Sequence, residues 1–243
     1  MLFDWKLDTK SLALAISFTA LYVVFGFVKI SPIIGLPNQA ITAAAIMAPI
    51  MGIILGSYIG MTSTILGGII GFFAGSLSVP SLVSGVFAAS YAGILHERKR
   101  SLCVFSYFSL LFLFGFYPFV GPVWLYPALM WFQIVGFLIL VSPLMPIALK
   151  SIGSKNKSKS FFGFFITSLV STLAGQIAGS LAFELLTWPI FLANVNAWKA
   201  KWQVITFLYP VERTIIALSA SFVGTTLYEA LKSSNILSSY GKH

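Results

Sequence analysis

Residues 161–188 read FFGFFITSLVSTLAGQIAGSLAFELLTW and contain a single charged side chain, Glu184. About 20 mostly apolar residues in a row are enough for a helix to cross a lipid bilayer. A run of this length with one charge is typical of a membrane-spanning helix. The stretch therefore predicts that the chain is anchored in a membrane at this point.

The composition extends this prediction to the whole chain. Hydrophobic residues make up 58% of the 243 residues and charged residues only 9%, whereas a soluble domain carries roughly a quarter charged residues. Too few charges remain to cover a water-exposed surface. We therefore expect residues 1–243 to form a single integral membrane domain with no separate soluble domain.

Seven more apolar stretches indicate further spans, separated by turns rich in glycine, proline or charge. The predicted fold class is an all-α polytopic transmembrane helix bundle of about eight spans. The third and fourth stretches are short, so one of them could be re-entrant. The first stretch is long enough to span and is expected to be retained, not cleaved as a signal. The eight predicted spans are 11–30, 39–56, 60–77, 81–96, 102–119, 124–148, 161–188 and 204–231.

The positive charges predict the orientation of the bundle. Lys and Arg gather in the cytoplasmic loops of membrane proteins. With eight spans and the N-terminus inside, the outer side holds only Lys29, Lys199 and Lys201. Both termini are therefore predicted to be cytoplasmic, in the cell membrane. The inner side holds Lys6, Lys10, Arg98, Lys99, Arg100, Lys150, Lys155, Lys157, Lys159, Lys232 and Lys242.

Several function classes lack the residues they need. One cysteine, Cys103, and two histidines offer no paired ligands for a metal site, and we expect no cofactor. No phosphate-binding loop with its lysine is present, so the chain is not expected to hydrolyse ATP. The net charge of +9 follows from the cytoplasmic loops, and no basic segment interleaved with aromatic residues indicates nucleic-acid binding.

Three ionisable residues within the predicted spans are the strongest candidates for a functional site: Glu184, Glu212 and Arg213. Charged side chains in hydrocarbon are costly and usually face the bundle interior or a wet cavity. One interpretation is an ion pair between Glu184 and Arg213 that only joins the last two helices. The other is an outward-facing pocket for a small polar solute. Pro210 is expected to begin the last helix and leave free N–H groups near an anion.

Other polar and aromatic residues are predicted on the same outer side. Gln176 lies eight residues before Glu184, with Ser180 between them, so the three follow one helix face. Trp188 lies next to the long outer loop and Trp198 lies within it. Tryptophan there is typical of a membrane interface but could also form a wall or lid. The predicted substrate-binding set is Asn38, Gln39, Gln176, Glu184, Trp188, Trp198, Glu212 and Arg213.

Two stripes of small residues predict close helix contacts. Such stripes let backbones approach each other in lipid. They either pack within the chain or form the surface for a partner membrane subunit. The residues concerned are Ser11, Ala15 and Thr19 in the first span and Gly67, Gly71 and Gly75 in the third.

Residues 32–75, PIIGLPNQAITAAAIMAPIMGIILGSYIGMTSTILGGIIGFFAG, resemble the substrate-binding (S) subunit of energy-coupling factor (ECF) transporters. The resemblance rests on the turn Leu55–Gly60, the glycine-rich third helix, the Tyr209–Arg213 segment and the small-residue face Ala13, Ala15 and Ala20. It implies a six-span core with extra helices. It also implies uptake of a vitamin-like micronutrient, with energy from separate ATPase subunits docked through a transmembrane coupling subunit.

Two other functions remain as alternatives. The first is a non-catalytic accessory or structural subunit of a membrane complex with no ligand of its own, in which Glu184 and Arg213 form a structural pair. The second is a membrane enzyme acting on lipid-linked substrates. It ranks last because the outer loop offers no cluster of acidic or histidine side chains, and we expect no enzymatic activity.

Overall fold

The computed structural model describes residues 9–188 and 193–234, and helices account for most of them. Lys6 and Lys242, both predicted on the inner side, lie outside these residues. The elements in chain order are α1 (Thr9–Gly26), β1 (Lys29–Pro32), β2 (Ala40–Thr42), α2 (Ala44–Leu55), α3 (Ser57–Phe73), α4 (Val79–His96), α5 (Arg100–Gly115), α6 (Pro122–Leu125), a 3-10 helix (Pro127–Met130), α7 (Trp131–Val141), α8 (Leu144–Ser151), α9 (Lys157–Thr187) and α10 (Val195–Ser233).

Four of the described helices, α1, α4, α9 and α10, are long and apolar enough to cross a membrane. A fifth span results if residues 127–141 and α8 are counted as one broken span, with a bend of 72°. The helices α2, α3 and α5 are apolar but have 12, 17 and 16 residues. The protein is thus an all-α bundle with the helices of a membrane protein, as the sequence predicts.

The helix α9 forms the centre of the bundle. It is buried along most of its length and packs against α2, α4, α5, α7, α8 and α10. Gly175 and Gly179 bring α4 close, because a Cβ at Gly179 would lie 2.9 Å from the Pro80 carbonyl oxygen. Glycine at these positions lets the two backbones approach more closely than any larger residue would. The helices α2 and α3 pack against α4, and α1 packs against α2 and α3.

Contacts along α9 separate two ends of the bundle. At one end Phe164, near the start of α9, packs with Ile53, Ala92 and Tyr228. The basic segments lie there too, since Lys232 donates to the Gly153 carbonyl at 3.1 Å. Towards the other end, α9 meets the start of α4 at Pro80 and Ser84. The lysine-rich loops predicted to be cytoplasmic are therefore gathered at one end of the bundle.

Glu97 joins two turns at the lysine-rich end. Its carboxylate accepts hydrogen bonds from the Ser57 backbone N–H at 2.9 Å and from Lys99 Nζ at 2.8 Å. Burial alone would raise the pKa of Glu97, but the hydrogen bonds from Lys99 and Ser57 outweigh it and hold the pKa below its ordinary value. The carboxylate thus remains ionised and satisfies a free N–H at the start of α3.

Two predicted spans differ in their ends. The span predicted at 11–30 ends as a helix at Gly26, and the one predicted at 39–56 becomes helical only from Ala44. Between them the two strands pair antiparallel, which forms a β-hairpin over residues 29–42, here called the hairpin. The helix α2 has 12 residues and is therefore only about 18 Å long, which is shorter than the roughly 30 Å thickness of a bilayer core.

Two predictions about the last helices are wrong in detail. The span predicted at 124–148 is broken at Ser142 and Pro143, because proline disfavours helix in the residue before it. Arg100 donates to the Leu140 and Ser142 carbonyls at this break. The helix α10 begins at Val195, and Pro210 lies inside it instead of starting it. The free N–H groups expected next to Glu212 are therefore not available.

Gly52 provides a test of the contact between α2 and α4. A Cβ at this position would overlap the Ala89 carbonyl oxygen, which belongs to the backbone and cannot rotate away. We expect Gly52→Ala to lower the free energy of unfolding by about 1–3 kcal/mol, as for other overpacked cores. The measurement is thermal unfolding of the purified protein in detergent. Ala20→Leu, on the exposed face of α1, is the control and should leave the melting temperature nearly unchanged.

Candidate functional site

A cavity lies inside the bundle, between α2, α4, α9 and α10, and the hairpin closes it on one side. Its volume is about 70 Å³, and one water molecule needs roughly 10–15 Å³ of such space. The walls are largely apolar, with Ile33, Ile34 and Ile41 from the hairpin and Ala48 and Ala88 from α2 and α4. We call this space the central cavity. An apolar enclosure with a few polar groups is the usual form of a small-molecule site.

The polar groups of the central cavity come mostly from the last two long helices. Gln176 and Ser180 lie one turn apart on α9, and Lys201, Tyr209 and Arg213 lie along α10. These residues converge because α9 and α10 pack side by side. Of the predicted binding residues, Gln176 and Arg213 line this cavity.

Arg213 is almost fully buried, with 5% of its surface exposed. Its guanidinium lies 5.6 Å from the centre of the Tyr209 ring, within the range of a cation–π contact. One of its terminal nitrogens is 4.0 Å from the Glu212 carboxylate. Its Nε has no hydrogen-bond partner. Arg213 therefore retains unused donor capacity at the wall of the cavity.

Glu212 connects the hairpin to α10. The Ser31 hydroxyl donates a hydrogen bond to one carboxylate oxygen, and the other oxygen faces Arg213. Glu212 is buried but does not line the central cavity. Its role in this geometry is to balance part of the Arg213 charge and to hold the hairpin over the cavity. Nothing in the sequence singled out Ser31, because the pairing spans 181 positions.

Gln176 is the one amide side chain among the described residues that line the cavity. Both its oxygen and its nitrogen are buried and lack a hydrogen-bond partner. A buried polar group normally has a partner, and an unpaired donor or acceptor costs about 1–3 kcal/mol. In the central cavity this amide can be satisfied by water or by a bound solute, because its side chain lines the open space.

The Glu184–Arg213 ion pair considered from the sequence does not form. Both carboxyl oxygens of Glu184 are buried with no hydrogen-bond partner, and Arg213 faces the neighbouring Glu212 instead. Glu184 is also not among the residues that line the central cavity. It is a buried acidic group within α9 that neither of the two interpretations accounts for.

The two predicted aromatic wall residues have different surroundings. Trp198 is fully buried in the core, where it packs edge-on against Phe183 at 5.4 Å and next to Trp202 at 5.3 Å. Trp188 is half-buried and lies 6.5 Å from the Phe119 ring. Neither lines the central cavity, and Trp202 does so instead. Trp202 is fixed there by donating from its indole to the Val120 carbonyl at 2.7 Å.

Asn38 and Gln39 lie on the outer surface of the hairpin, not in the central cavity. They line an open groove formed by residues 29–40 together with Lys201. Asn38 is exposed and has a φ of 63°, a conformation that asparagine tolerates well in tight turns. Because Lys201 lines both the groove and the central cavity, the two spaces adjoin at this side chain.

The small-residue stripes of α1 and α3 pack mainly against this chain. A Cβ at Gly67 would lie 3.0 Å from the Tyr22 ring, and one at Gly71 would lie 2.8 Å from Leu77. Ala15 is buried, and Ser11 and Thr19 are half-buried. Gly75 is exposed and occupies a turn with a φ of 73°. The glycines of α3 thus serve internal packing, which was the other interpretation of this stripe.

No group of three or more His, Cys, Asp and Glu within residues 9–188 and 193–234 is arranged to hold a metal ion. Comparison of the chain with protein families, curated proteins and solved structures gives no match. The geometry of the central cavity and the resemblance in the sequence are the grounds for assigning a function.

Proposed function

We propose that the chain is the substrate-capture subunit of an ECF-type transporter in the cell membrane, and that it takes up a small vitamin-like or micronutrient-like solute. The solute binds in the central cavity. Separate ATPase subunits supply the energy through a transmembrane coupling subunit, and the chain itself catalyses no reaction. The observation that carries this proposal is the pair of unsatisfied buried groups, Gln176 and Arg213 Nε, at the wall of one cavity.

The position of the cavity in the bundle supports uptake from outside. The lysine-rich loops lie near the start of α9, where Phe164 packs with Tyr228. The cavity and its hairpin lie towards the other end of α9, where Ser180 lines the cavity. Positive residues favour the cytoplasmic side. We therefore propose that both termini are cytoplasmic and that the cavity with its hairpin lies in the outer half of the membrane.

The proposed surface for the coupling subunit is on α1. Gly67 and Gly71 are occupied by internal contacts, but Ala13, Ser17 and Ala20 are exposed on α1. Small side chains on an exposed helix face permit close contact with a second helix in lipid. Ala13 and Ala20 belong to the face that the ECF resemblance assigns to the coupling partner, whereas Ala15, the third residue of that face, is buried.

Gln176→Leu tests the proposal, and Gln133→Leu is a matched control. Both glutamines are buried and have an unsatisfied amide oxygen, but only Gln176 lines the central cavity. We expect wild type and Gln133→Leu to co-purify with the same small solute. Gln176→Leu should retain about a tenth of it or less, since each 1.4 kcal/mol of lost binding is tenfold in affinity. The readout is mass spectrometry of solute released from the purified protein.

The same preparation tests the partners. Tagged protein purified from native membranes in mild detergent should bring down an ATPase subunit and a coupling subunit. Wild-type protein that releases no solute and recovers no ATPase would contradict the transport proposal. Another outcome is that an ATPase is recovered and both glutamine variants release equal amounts of solute. That outcome would leave the transport proposal standing but would contradict binding of the solute in the central cavity.

A further inference from the structure

We infer that the solute of the central cavity is a small organic anion with one negative charge, such as a carboxylate. This inference rests on the proposed function and adds the chemical class of the solute. Its basis is the balance of charge around the cavity. Among the described residues that line it, Lys201 and Arg213 are cationic and none is acidic.

One of these two positive charges is already compensated. The Glu212 carboxylate lies 4.0 Å from Arg213 and outside the cavity, and it also accepts the hydrogen bond from Ser31. The other positive charge, on the half-buried Lys201, has no acidic counterpart on the cavity wall. Next to apolar walls, opposite charges attract each other more strongly than they do in bulk water. A singly charged anion would complete the balance, and a cationic solute would be repelled.

The donors at the wall fit a carboxylate better than a neutral solute. Arg213 is buried and has an unused N–H at Nε, and a guanidinium presents its donors in a planar fork that matches a carboxylate. Gln176 adds an unsatisfied amide N–H, and Tyr209 adds a phenol. The volume of about 70 Å³ holds roughly five waters, so the solute is small.

The path into the cavity carries the same sign of charge. Lys29 and Lys201 both line the open groove beside the hairpin, and Lys201 continues into the central cavity. These are two of the three cations predicted on the outer side, where membrane proteins carry few. A groove lined by one sign of charge raises the local concentration of the opposite ion. Lys29 and Lys201 would therefore draw anions towards the cavity.

The test uses pairs of probes that differ in charge but hardly in shape: acetate and acetamide, butyrate and butyramide, benzoate and benzamide. Each is titrated into purified, solute-free protein in detergent, and binding is measured by the shift in melting temperature and by calorimetry. We expect at least one carboxylate to bind, and we expect the matching amide to bind at least about tenfold more weakly. The reason is that hydrogen bonds to a charged group are stronger than those to a neutral one.

Two lysine variants keep the test independent of whether Arg213 variants fold. Lys201→Gln should weaken carboxylate binding about tenfold. Lys199→Gln, at an exposed position two residues away that does not line the cavity, should leave it unchanged. No binding of any of the three carboxylates, or equal binding of acids and amides, overturns the inference. A neutral or cationic solute released from native protein also overturns the inference. It leaves the transport proposal standing, since that proposal fails if native protein releases no solute and recovers no ATPase.

Discussion

We expect Arg213→Met to lower the free energy of unfolding by about 3–5 kcal/mol, because it leaves the Glu212 carboxylate buried without a counter-charge. Both residues are only 5% exposed, and the closest pair of charged atoms is 4.0 Å apart. The substitution also removes the contact between the guanidinium and the Tyr209 ring. The measurement is reversible unfolding of solute-free protein in mixed detergent micelles.

The double variant Glu212→Gln/Arg213→Met separates this cause from simple loss of packing. It removes both charges and keeps an amide oxygen that accepts the hydrogen bond from Ser31. Most of the lost stability should therefore return. Lys157→Met is the control, since its pair with Glu229 at 3.5 Å is at the surface and is expected to contribute less than about 1 kcal/mol. A double variant as unstable as Arg213→Met would mean that the buried charge is not the cause.

Hydropathy predicts the central helix well and the short elements poorly. The stretch 161–188 corresponds to α9, Lys157–Thr187, because its apolar length has no other stable form in lipid. The start of α10 was missed because Asn196, Lys199 and Lys201 resemble a polar loop in sequence. In the structure Trp198 buries this turn of helix against Phe183. Such contacts between distant segments leave no local trace in the sequence.

The candidate site was predicted in part, and helix geometry explains the difference. Residues four apart on a helix are offset by about 40°, so residues eight apart are offset by about 80°. Gln176 and Ser180 thus line the central cavity, while Glu184 has turned away from it. By the same geometry Tyr209 precedes Arg213 by four residues and shares its face. The contacts that Lys201 and Ser31 make at the site depend on where the hairpin packs, and the sequence did not predict this packing.

We expect Glu184→Leu to raise the free energy of unfolding by about 3 kcal/mol. This is near the upper limit for one unsatisfied buried group, because both Glu184 oxygens lack partners. Leucine has a similar volume and needs no hydrogen bonds, so the fully buried site in α9 can accept it. The same unfolding measurement applies, with Glu229→Leu as the control: Glu229 is half-exposed and paired with Lys157, so its replacement should change stability little.

Solute binding gives the second readout for Glu184, because its side chain does not line the central cavity. A variant that is more stable and binds solute as wild type does would mean that the Glu184 carboxyl group destabilises the isolated chain and takes no part in solute binding. A variant that loses stability would show that Glu184 has a partner in the folded protein, contrary to its unsatisfied oxygens. Loss of binding at unchanged stability would instead return Glu184 to the binding site, where the sequence had placed it.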